Sequence, residues 1–129
     1  MISDAIRKFI EKSDYAFVAS ADETGAPHLA AGTGPNCPDD RHLAFKAWFC
    51  QKTLRNAALN SRLAVAIIDR LGNGYQFTGT VVKLNDIAFL DGIAPGKEAP
   101  GTPQVQSILK IRVDEIMEFS VGVHTDLPV

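Results

Sequence analysis

The chain has 129 residues and a formal net charge of −2 at pH 7, and this length predicts a single domain over residues 1–129. Its composition, 46% hydrophobic and 22% charged, is typical of a protein that buries its own core. The 13 Lys and Arg residues are scattered, which argues against the basic stripe that nucleic-acid binding requires. No apolar run approaches a membrane span, and no signal segment follows Arg7 and Lys8, so we expect a cytoplasmic protein.

The two cysteines, Cys37 and Cys50, are too few for a disulfide framework and too far apart for a C-x-x-C redox pair. We therefore expect free thiols. Together with His28 and His42 they lack the spacing of a zinc finger, so no metal site is predicted.

The N-terminal segment has the pattern of an amphipathic helix. Ser3 is a good N-cap residue, and Ile2, Ile6, Phe9 and Ile10 share one face of the helix. We expect this helix to cover part of the core.

The apolar period then changes to two, which indicates strands. Strands are predicted over residues 15–20 and 27–33, separated by turn residues 22–25. Residues 34–40, rich in glycine, proline and aspartate, are predicted to form a loop before a third strand over residues 42–48.

A second short helix is predicted over residues 54–59, with Thr53 as its N-cap. Residues 63–68 are apolar on both faces, which favours a central strand. A glycine-rich hairpin segment, residues 69–74, leads into a strand over residues 75–84.

The C-terminal third is predicted to contain two more strands, over residues 105–113 and 116–121. Residues 85–104 are predicted to form a mobile or partner-covered excursion, and a tail that contains His124 ends the chain. Short strands, sparse helix and no βαβ rhythm favour an antiparallel β-barrel.

One apparent nucleotide motif fails. Gly32-Thr33-Gly34 begins like a dinucleotide fingerprint, but Cys37 occupies the third glycine position, and Pro35 and Pro38 prevent a helix from opening there.

The junction Gln51-Lys52-Thr53 is the remaining candidate site. Free amide groups at a helix start, the helix dipole and a lysine together favour an anion of phosphate size. The alternative is an ordinary capped surface helix with a solvated lysine, and local sequence alone leaves both readings open.

Four segments in this order are similar to a known pattern: AFVASADETGAPH at residues 16–28, QKTLRN at 51–56, NSRLAVA at 60–66 and GYQFTGT at 74–80. They resemble the FMN-binding split barrel of the pyridoxamine-phosphate-oxidase-like family. The resemblance implies a mainly β fold: a six-stranded antiparallel Greek-key split β-barrel with a few short helices. It also implies a homodimer with FMN in clefts at the subunit interface.

The resemblance assigns the FMN phosphate to Lys52 and Thr53, with Gln51 beside them. This agrees with the anion site inferred from the junction itself.

For the flavin ring, the resemblance points to the strand after His28, and so to Ala31, Gly32 and Thr33. Gln76 is a candidate for the polar edge of the ring, and Trp48 for stacking near it. Other roles stay open: packing at a strand end for Thr33, an outward strand position for Gln76, and core packing for Trp48.

The chain also departs from true pyridoxamine-phosphate oxidases, which have arginines on the second strand and near the C-terminus. Residues 28–31 here are His-Leu-Ala-Ala, and residues 123–129 contain no arginine. We therefore expect an FMN-dependent oxidoreductase that exchanges electrons or hydride with a different small molecule, with no catalytic residue identified. The alternatives are a non-enzymatic electron-transfer flavoprotein, a haem-binding barrel with His124 as ligand, a deazaflavin-binding barrel, and a cofactor-free dimeric module.

Overall fold

The computed structural model describes the backbone of residues 1–88 and 106–129, and the side chains of residues 1–82 and 107–129. Within these residues, strands outnumber helices, which confirms the predicted mainly β class. The elements are α1 (Asp4–Lys12), β1 (Tyr15–Ala21), β2 (Pro27–Thr33), β3 (Asn36–Asp39), β4 (His42–Trp48), α2 (Gln51–Leu59), β5 (Arg62–Ile68), β6 (Asn73–Ala88) and β7 (Gln106–Ser120).

The strands form one antiparallel sheet in the order β2-β1-β5-β6-β7-β4-β3. The sheet curls so that β2, at one end of the order, packs against β4 near the other end. This is the split barrel that the sequence predicted. The apolar strand β5 lies between β1 and β6, in the central position expected for it.

The sheet has seven strands where the resemblance implied six, and one of the seven lies in residues 34–40, which were predicted to form a loop. Asn36–Asp39 forms the short strand β3, in which Cys37 is buried and Asn36 Nδ2 donates a hydrogen bond to the Ala44 carbonyl at 3.1 Å. The prolines and aspartates of this segment are typical of a loop, so the sequence did not predict the strand. Prolines are nevertheless tolerated in a strand at the edge of a sheet.

The two strands predicted at the C-terminal end are one continuous strand, β7. Polar Asp114 interrupts the sequence alternation, but the pairing with β6 shifts register there, and the Thr80 hydroxyl donates a 2.8 Å hydrogen bond to the Asp114 carboxylate. A bulge thus absorbs the residue that ended the predicted strand. β6 likewise runs beyond its predicted end, to Ala88. Of the predicted excursion, residues 89–105 lie outside the described residues.

The core lies on the concave face of the sheet, and α1 covers part of it. Ser3 caps α1 as predicted, because its Oγ accepts a hydrogen bond from the Ile6 N–H at 3.2 Å. Aliphatic and aromatic side chains make up this core: Ile2, Ile6, Ile10, Ala16, Val18, Leu43, Phe45, Trp48, Leu63, Val65, Ile67, Phe77, Leu109, Ile111, Val113 and Ile116.

Helix α2 packs against β1 and β2, and a buried polar contact joins it to β1. Asn56 Nδ2 donates a hydrogen bond to Ser20 Oγ at 3.0 Å, and both side chains are buried. This contact positions the start of α2 beside the end of the β1–β2 hairpin. Across the described part of the chain, no helix is long and apolar enough to cross a membrane.

Candidate functional site at the start of the second helix

The start of α2 differs from the prediction in its cap. Thr53 was expected to be the N-cap, but the helix begins at Gln51, and Cys50 is the N-cap residue in an extended conformation (φ −71°, ψ 105°). Cysteine is not a preferred cap, so propensity alone favours Thr53. Thr53 instead occupies the third helical position, where its side chain is fully buried.

The Cys50 thiol is half-buried and meets a histidine from another element. His28 Nε2, on β2, lies 3.4 Å from the Cys50 Sγ. The Thr53 hydroxyl is close enough to act on this thiol, yet it makes no hydrogen bond of standard geometry within the described residues. The start of α2 therefore holds a cysteine with two polar neighbours.

These neighbours determine the acidity of the Cys50 thiol. Partial burial acts to raise its pKa, but the Thr53 hydroxyl, His28 and the first N–H groups of α2 outweigh that effect and lower the pKa to about 7. The Cys37 thiol shows the opposite effect, since burial raises its pKa to about 11. A substantial fraction of Cys50 is therefore thiolate at neutral pH.

Lys52 is exposed at the second position of α2, next to the β1–β2 turn. In that turn Asp22 accepts hydrogen bonds from Thr24 and from the Ala26 N–H, and these bonds lower the pKa of its carboxyl group. The positive charge of Lys52 lowers the same pKa to a smaller extent. Lys52 thus faces solvent with one carboxylate in its vicinity.

Trp48 and Gly32 contact each other in the interior. Trp48 is 1% exposed, packs edge-to-face on Phe45, and donates a hydrogen bond from Nε1 to the Cys50 carbonyl at 3.0 Å. A Cβ built on Gly32 would come within 2.2 Å of the indole. The glycine is needed here because the indole occupies the space of a side chain.

Ala31 and Gln76 lie on the opposite, convex face of the sheet. Ala31 pairs with Phe17, Phe17 with Ala66, and Ala66 with Gln76, so these four residues form one row across β2, β1, β5 and β6. Directly paired residues in antiparallel strands point to the same face. The row spans roughly 14 Å, from three strand spacings of about 4.8 Å.

The outer edge of β2 offers backbone groups. Gly34 donates its N–H to the Asp14 carbonyl, and Asp22 donates its N–H to the Ala26 carbonyl. By the alternation of an antiparallel ladder, the even-numbered residues of β2 bond to β1, while Ala31 and Thr33 direct their N–H and C=O groups away from it. No strand among the described residues pairs with this edge.

The eight predicted site residues therefore fall in three places. Gln51, Lys52 and Thr53 are at the start of α2. The other two places are the interior, with Gly32 and Trp48, and the convex face and outer edge of the sheet, with Ala31, Thr33 and Gln76.

Sequence reasoning did not assign a site role to the pair formed by His28 and Cys50. The two residues are 22 positions apart, so no local motif joins them. The signal was the position of Cys50 directly before a helix, where thiols are acidified. In the described part of the chain, no group of three or more His, Cys, Asp or Glu side chains is arranged to hold a metal ion.

His124 lies in the C-terminal tail. Its Nδ1 is 2.9 Å from the Gly122 carbonyl oxygen, and its Nε2 is 3.7 Å from the Asp126 carboxylate. The imidazole lines a cavity of about 330 Å³ together with Tyr75 and Glu118.

The family model of pyridoxamine 5'-phosphate oxidase matches residues 2–118 of the chain. The chain belongs to this family. A search among curated proteins finds no match.

Solved structures of similar shape support the assignment of this pyridoxamine 5'-phosphate oxidase family member to the split barrel. HupZ of Group A Streptococcus has a TM-score of 0.71 at 22% identity, covering 97% of this chain and 99% of that one. An F420 reductase has a TM-score of 0.63 at 20% identity, with coverages of 89% and 98%. An FMN-binding protein from Syntrophomonas wolfei subsp. wolfei has a TM-score of 0.62 at 14% identity, with coverages of 94% and 91%. Identities this low establish the fold alone.

The start of α2 in this family member meets part of what a phosphate group requires. It provides an exposed cation at Lys52, the positive end of a helix, and a buried Thr53 hydroxyl that lacks a standard hydrogen bond within the described residues. Because Thr53 is fully buried, direct contact of a phosphate with its hydroxyl requires a side-chain movement at the start of α2. Lys52 is accessible without such a movement.

Proposed function

We propose that this chain binds FMN and uses it to exchange electrons or hydride with a small molecule. The observation that carries the proposal is the start of α2, where no acidic residue occupies the first turn and Lys52 is exposed at the second position. A helix start with a cation is a favourable site for a phosphate group. The fold shared with an FMN-binding protein supports the same assignment.

In this proposal the chain contributes binding and orientation. Lys52 and the start of α2 hold the phosphate, with Gln51 beside them, while the backbone groups of Ala31 and Thr33 and the amide of Gln76 are available to the ring. Bound FMN supplies the redox chemistry. Trp48 shapes the site from within, because its indole packs behind Gly32.

We also propose that the protein is a homodimer with the cofactor cleft at its interface. The convex face carries large apolar side chains that are exposed in the single chain: Leu29 is 65% exposed, Tyr15 55% and Ile68 37%. Exposed apolar patches of this kind mark association surfaces. Light scattering should give twice the chain mass, and Leu29→Lys should shift the protein toward the monomer. A monomeric wild-type protein would contradict this part of the proposal.

A cytoplasmic location stays a prediction of the sequence.

The test of FMN binding is Lys52→Ala, with Lys8→Ala on the exposed side of α1 as the matched control. Removing one charged partner of a phosphate should weaken binding by about 1.5–3 kcal/mol, or roughly 10- to 150-fold in Kd. Flavin fluorescence titration measures both variants. An FMN affinity that Lys52→Ala leaves unchanged refutes the phosphate site, and a wild-type protein that takes up no FMN refutes the function.

The F420 reductase of similar fold makes a deazaflavin the second candidate cofactor. Parallel titrations with FMN and with a deazaflavin decide between the two. The visible spectrum of the purified protein tests haem at the same time, since a Soret band that His124→Ala removes would replace the flavin proposal. Bound FMN without turnover of reduced nicotinamides or small-molecule acceptors would indicate an electron carrier in place of an enzyme.

A further inference from the structure

Cys50 and His28 form a pair of chemically reactive groups that the proposed flavin function does not use. Their side chains come from different elements, β2 and the N-cap of α2, and Nε2 lies 3.4 Å from Sγ. A thiol at this distance from an imidazole can share its proton with it, as in cysteine nucleophiles activated by a neighbouring base.

A second observation concerns Thr53. Its side chain is fully buried, and its hydroxyl has no hydrogen bond of standard geometry among the residues that the structure describes. Such a hydroxyl usually finds a partner. Thr53 is the third residue after the N-cap Cys50, in the same first turn of α2, and its hydroxyl lowers the pKa of the Cys50 thiol, as a donor to the thiolate would.

The backbone contributes in the same direction. The backbone N–H groups of Lys52 and Thr53 lower the pKa of the Cys50 thiol, and the start of a nine-residue helix carries partial positive charge. Cysteines at helix starts next to cations are the ones whose thiolate form is populated and accessible. Cys50 is half-buried and so reachable from solvent, whereas Cys37 is buried.

From this geometry we propose that Cys50 is a thiol modification site that reacts with low-molecular-weight disulfides. The Cys50 thiolate attacks one sulfur of the disulfide, a new S–S bond forms to Cys50, and the original S–S bond breaks. The departing half leaves as a thiolate and takes up a proton, so that Cys50 is oxidised and one half of the disulfide is reduced. The site adjoins the proposed phosphate site at the start of α2, and the exchange itself requires no flavin.

The pH dependence of the reaction is the decisive measurement. His28 from β2 is the titratable group in contact with the thiol, and the charge of the exposed Lys52 on α2 acts on Asp22 of the β1–β2 turn, whose pKa it lowers. The rate itself changes little, since a lower pKa gives more thiolate but a weaker nucleophile, for a net gain of roughly threefold at pH 7. The midpoint of the pH profile, by contrast, moves with the pKa.

The experiment follows mixed-disulfide formation with oxidised glutathione by intact mass, from pH 5 to pH 10. We expect one adduct, on Cys50, with a midpoint near pH 7, below the value of about 8.5 for a free thiol. Cys50→Ser should abolish the adduct, and Cys37→Ser should leave it unchanged. A wild-type midpoint at or above 8.5, or an adduct on Cys37, overturns the proposal without any variant at Cys50.

Two further variants test the neighbours. His28→Gln and Thr53→Val should each raise the midpoint toward 8.5, because each removes a group that stabilises the thiolate. His42→Gln is the matched control, since His42 contacts Asp39 on β3, while the groups that lower the pKa of Cys50 are His28, Thr53 and the first N–H groups of α2. An unshifted midpoint in both test variants, measured on protein with a wild-type circular dichroism spectrum, overturns the role of the pair.

Discussion

The two helices have the same length, nine residues, but are held to the barrel by different chemistry. α1 buries isoleucines, with Ile6 and Ile10 in contact with the core, whereas α2 buries Thr53, Asn56 and Ala57. Apolar contacts stabilise by burial alone, while a buried amide or hydroxyl requires a partner. α1 is therefore a cover for the core, and α2 is a helix positioned by polar contacts.

The first turns of the two helices also differ, in their capping and in their charge. At α1 the Ser3 side chain accepts the Ile6 N–H, and Asp4 places a negative charge in the first turn. At α2 the N-cap Cys50 makes no side-chain cap bond, and Lys52 adds a positive charge where an acidic residue would be favourable. The chain neutralises the start of α1 itself but leaves the start of α2 positive, which is the property that an anion site requires.

The largest expected loss of stability comes from removing an apolar contact between α1 and the core. Ile10→Ala removes a side chain with no exposed surface and should lower the free energy of unfolding by about 2–5 kcal/mol. Urea unfolding of this variant and of Lys8→Ala, on the exposed face of the same helix, gives the comparison. The lysine variant should stay within about 0.5 kcal/mol of wild type. A loss below 1 kcal/mol for Ile10→Ala would mean that α1 is not part of the cooperative core.

The next largest loss of stability is expected from removing the polar contact between α2 and β1. Asn56→Ala leaves the buried Ser20 hydroxyl without the hydrogen bond that Asn56 donates, at a cost of about 1–3 kcal/mol in the free energy of unfolding. The double variant Ser20→Ala with Asn56→Ala removes both partners and should recover part of the loss. Equal effects in the single and double variants would contradict a stabilising hydrogen bond between the two.

The comparison of the helices also explains which parts of the molecule the sequence could predict. The apolar face and the cap of α1 follow from residue types within one turn, since Ser3 is a preferred cap and the isoleucines recur at helical spacing. At α2, the rule that favours Thr over Cys as a cap placed the helix start at Thr53, and the buried position of Thr53 was not visible from its neighbours.

The features that the sequence could not predict depend on contacts between residues far apart in the chain. The pairing of Cys50 with His28 and the packing of Trp48 against Gly32 depend on the curl that brings β2 near β4. That Gly32 lines the flavin ring stays a prediction, and the structure adds that its missing side chain makes room for the indole of Trp48. The strands were predicted well because the alternation of apolar and polar residues is a local signal. The prediction of the last strand failed at Asp114, where a bulge interrupts that alternation.

A smaller difference in stability is expected between variants of the two N-cap residues, Ser3 and Cys50. Ser3→Ala should lower the free energy of unfolding by about 1 kcal/mol, because the Ile6 N–H loses its acceptor. Cys50→Ala, measured at pH 6 where the thiol is mostly protonated, should cost less than about 0.5 kcal/mol, since Cys50 makes no cap bond. Thermal unfolding of both variants at that pH checks the difference. A larger loss at Cys50 than at Ser3 would reverse the comparison.

The smallest expected effect is a pH dependence that belongs to α2 alone. The folded pKa of Cys50, about 7, lies below the value of about 8.5 for an unfolded thiol, so the unfolded chain binds more protons between these values. The stabilisation is fully present above pH 8.5 and is lost as the pH falls through 7. Because the thiol is partly exposed, the effect should stay below about 1 kcal/mol.

The measurement compares the wild-type protein with Cys50→Ala at each pH from 6 to 9. Cys37, whose raised pKa acts with the opposite sign above pH 8.5, contributes equally to both proteins and cancels in the difference. The stability of the wild-type protein relative to the variant should therefore increase with pH across this range. A flat difference would mean that the positive start of α2 does not stabilise the thiolate, and that the two helix starts are electrostatically alike.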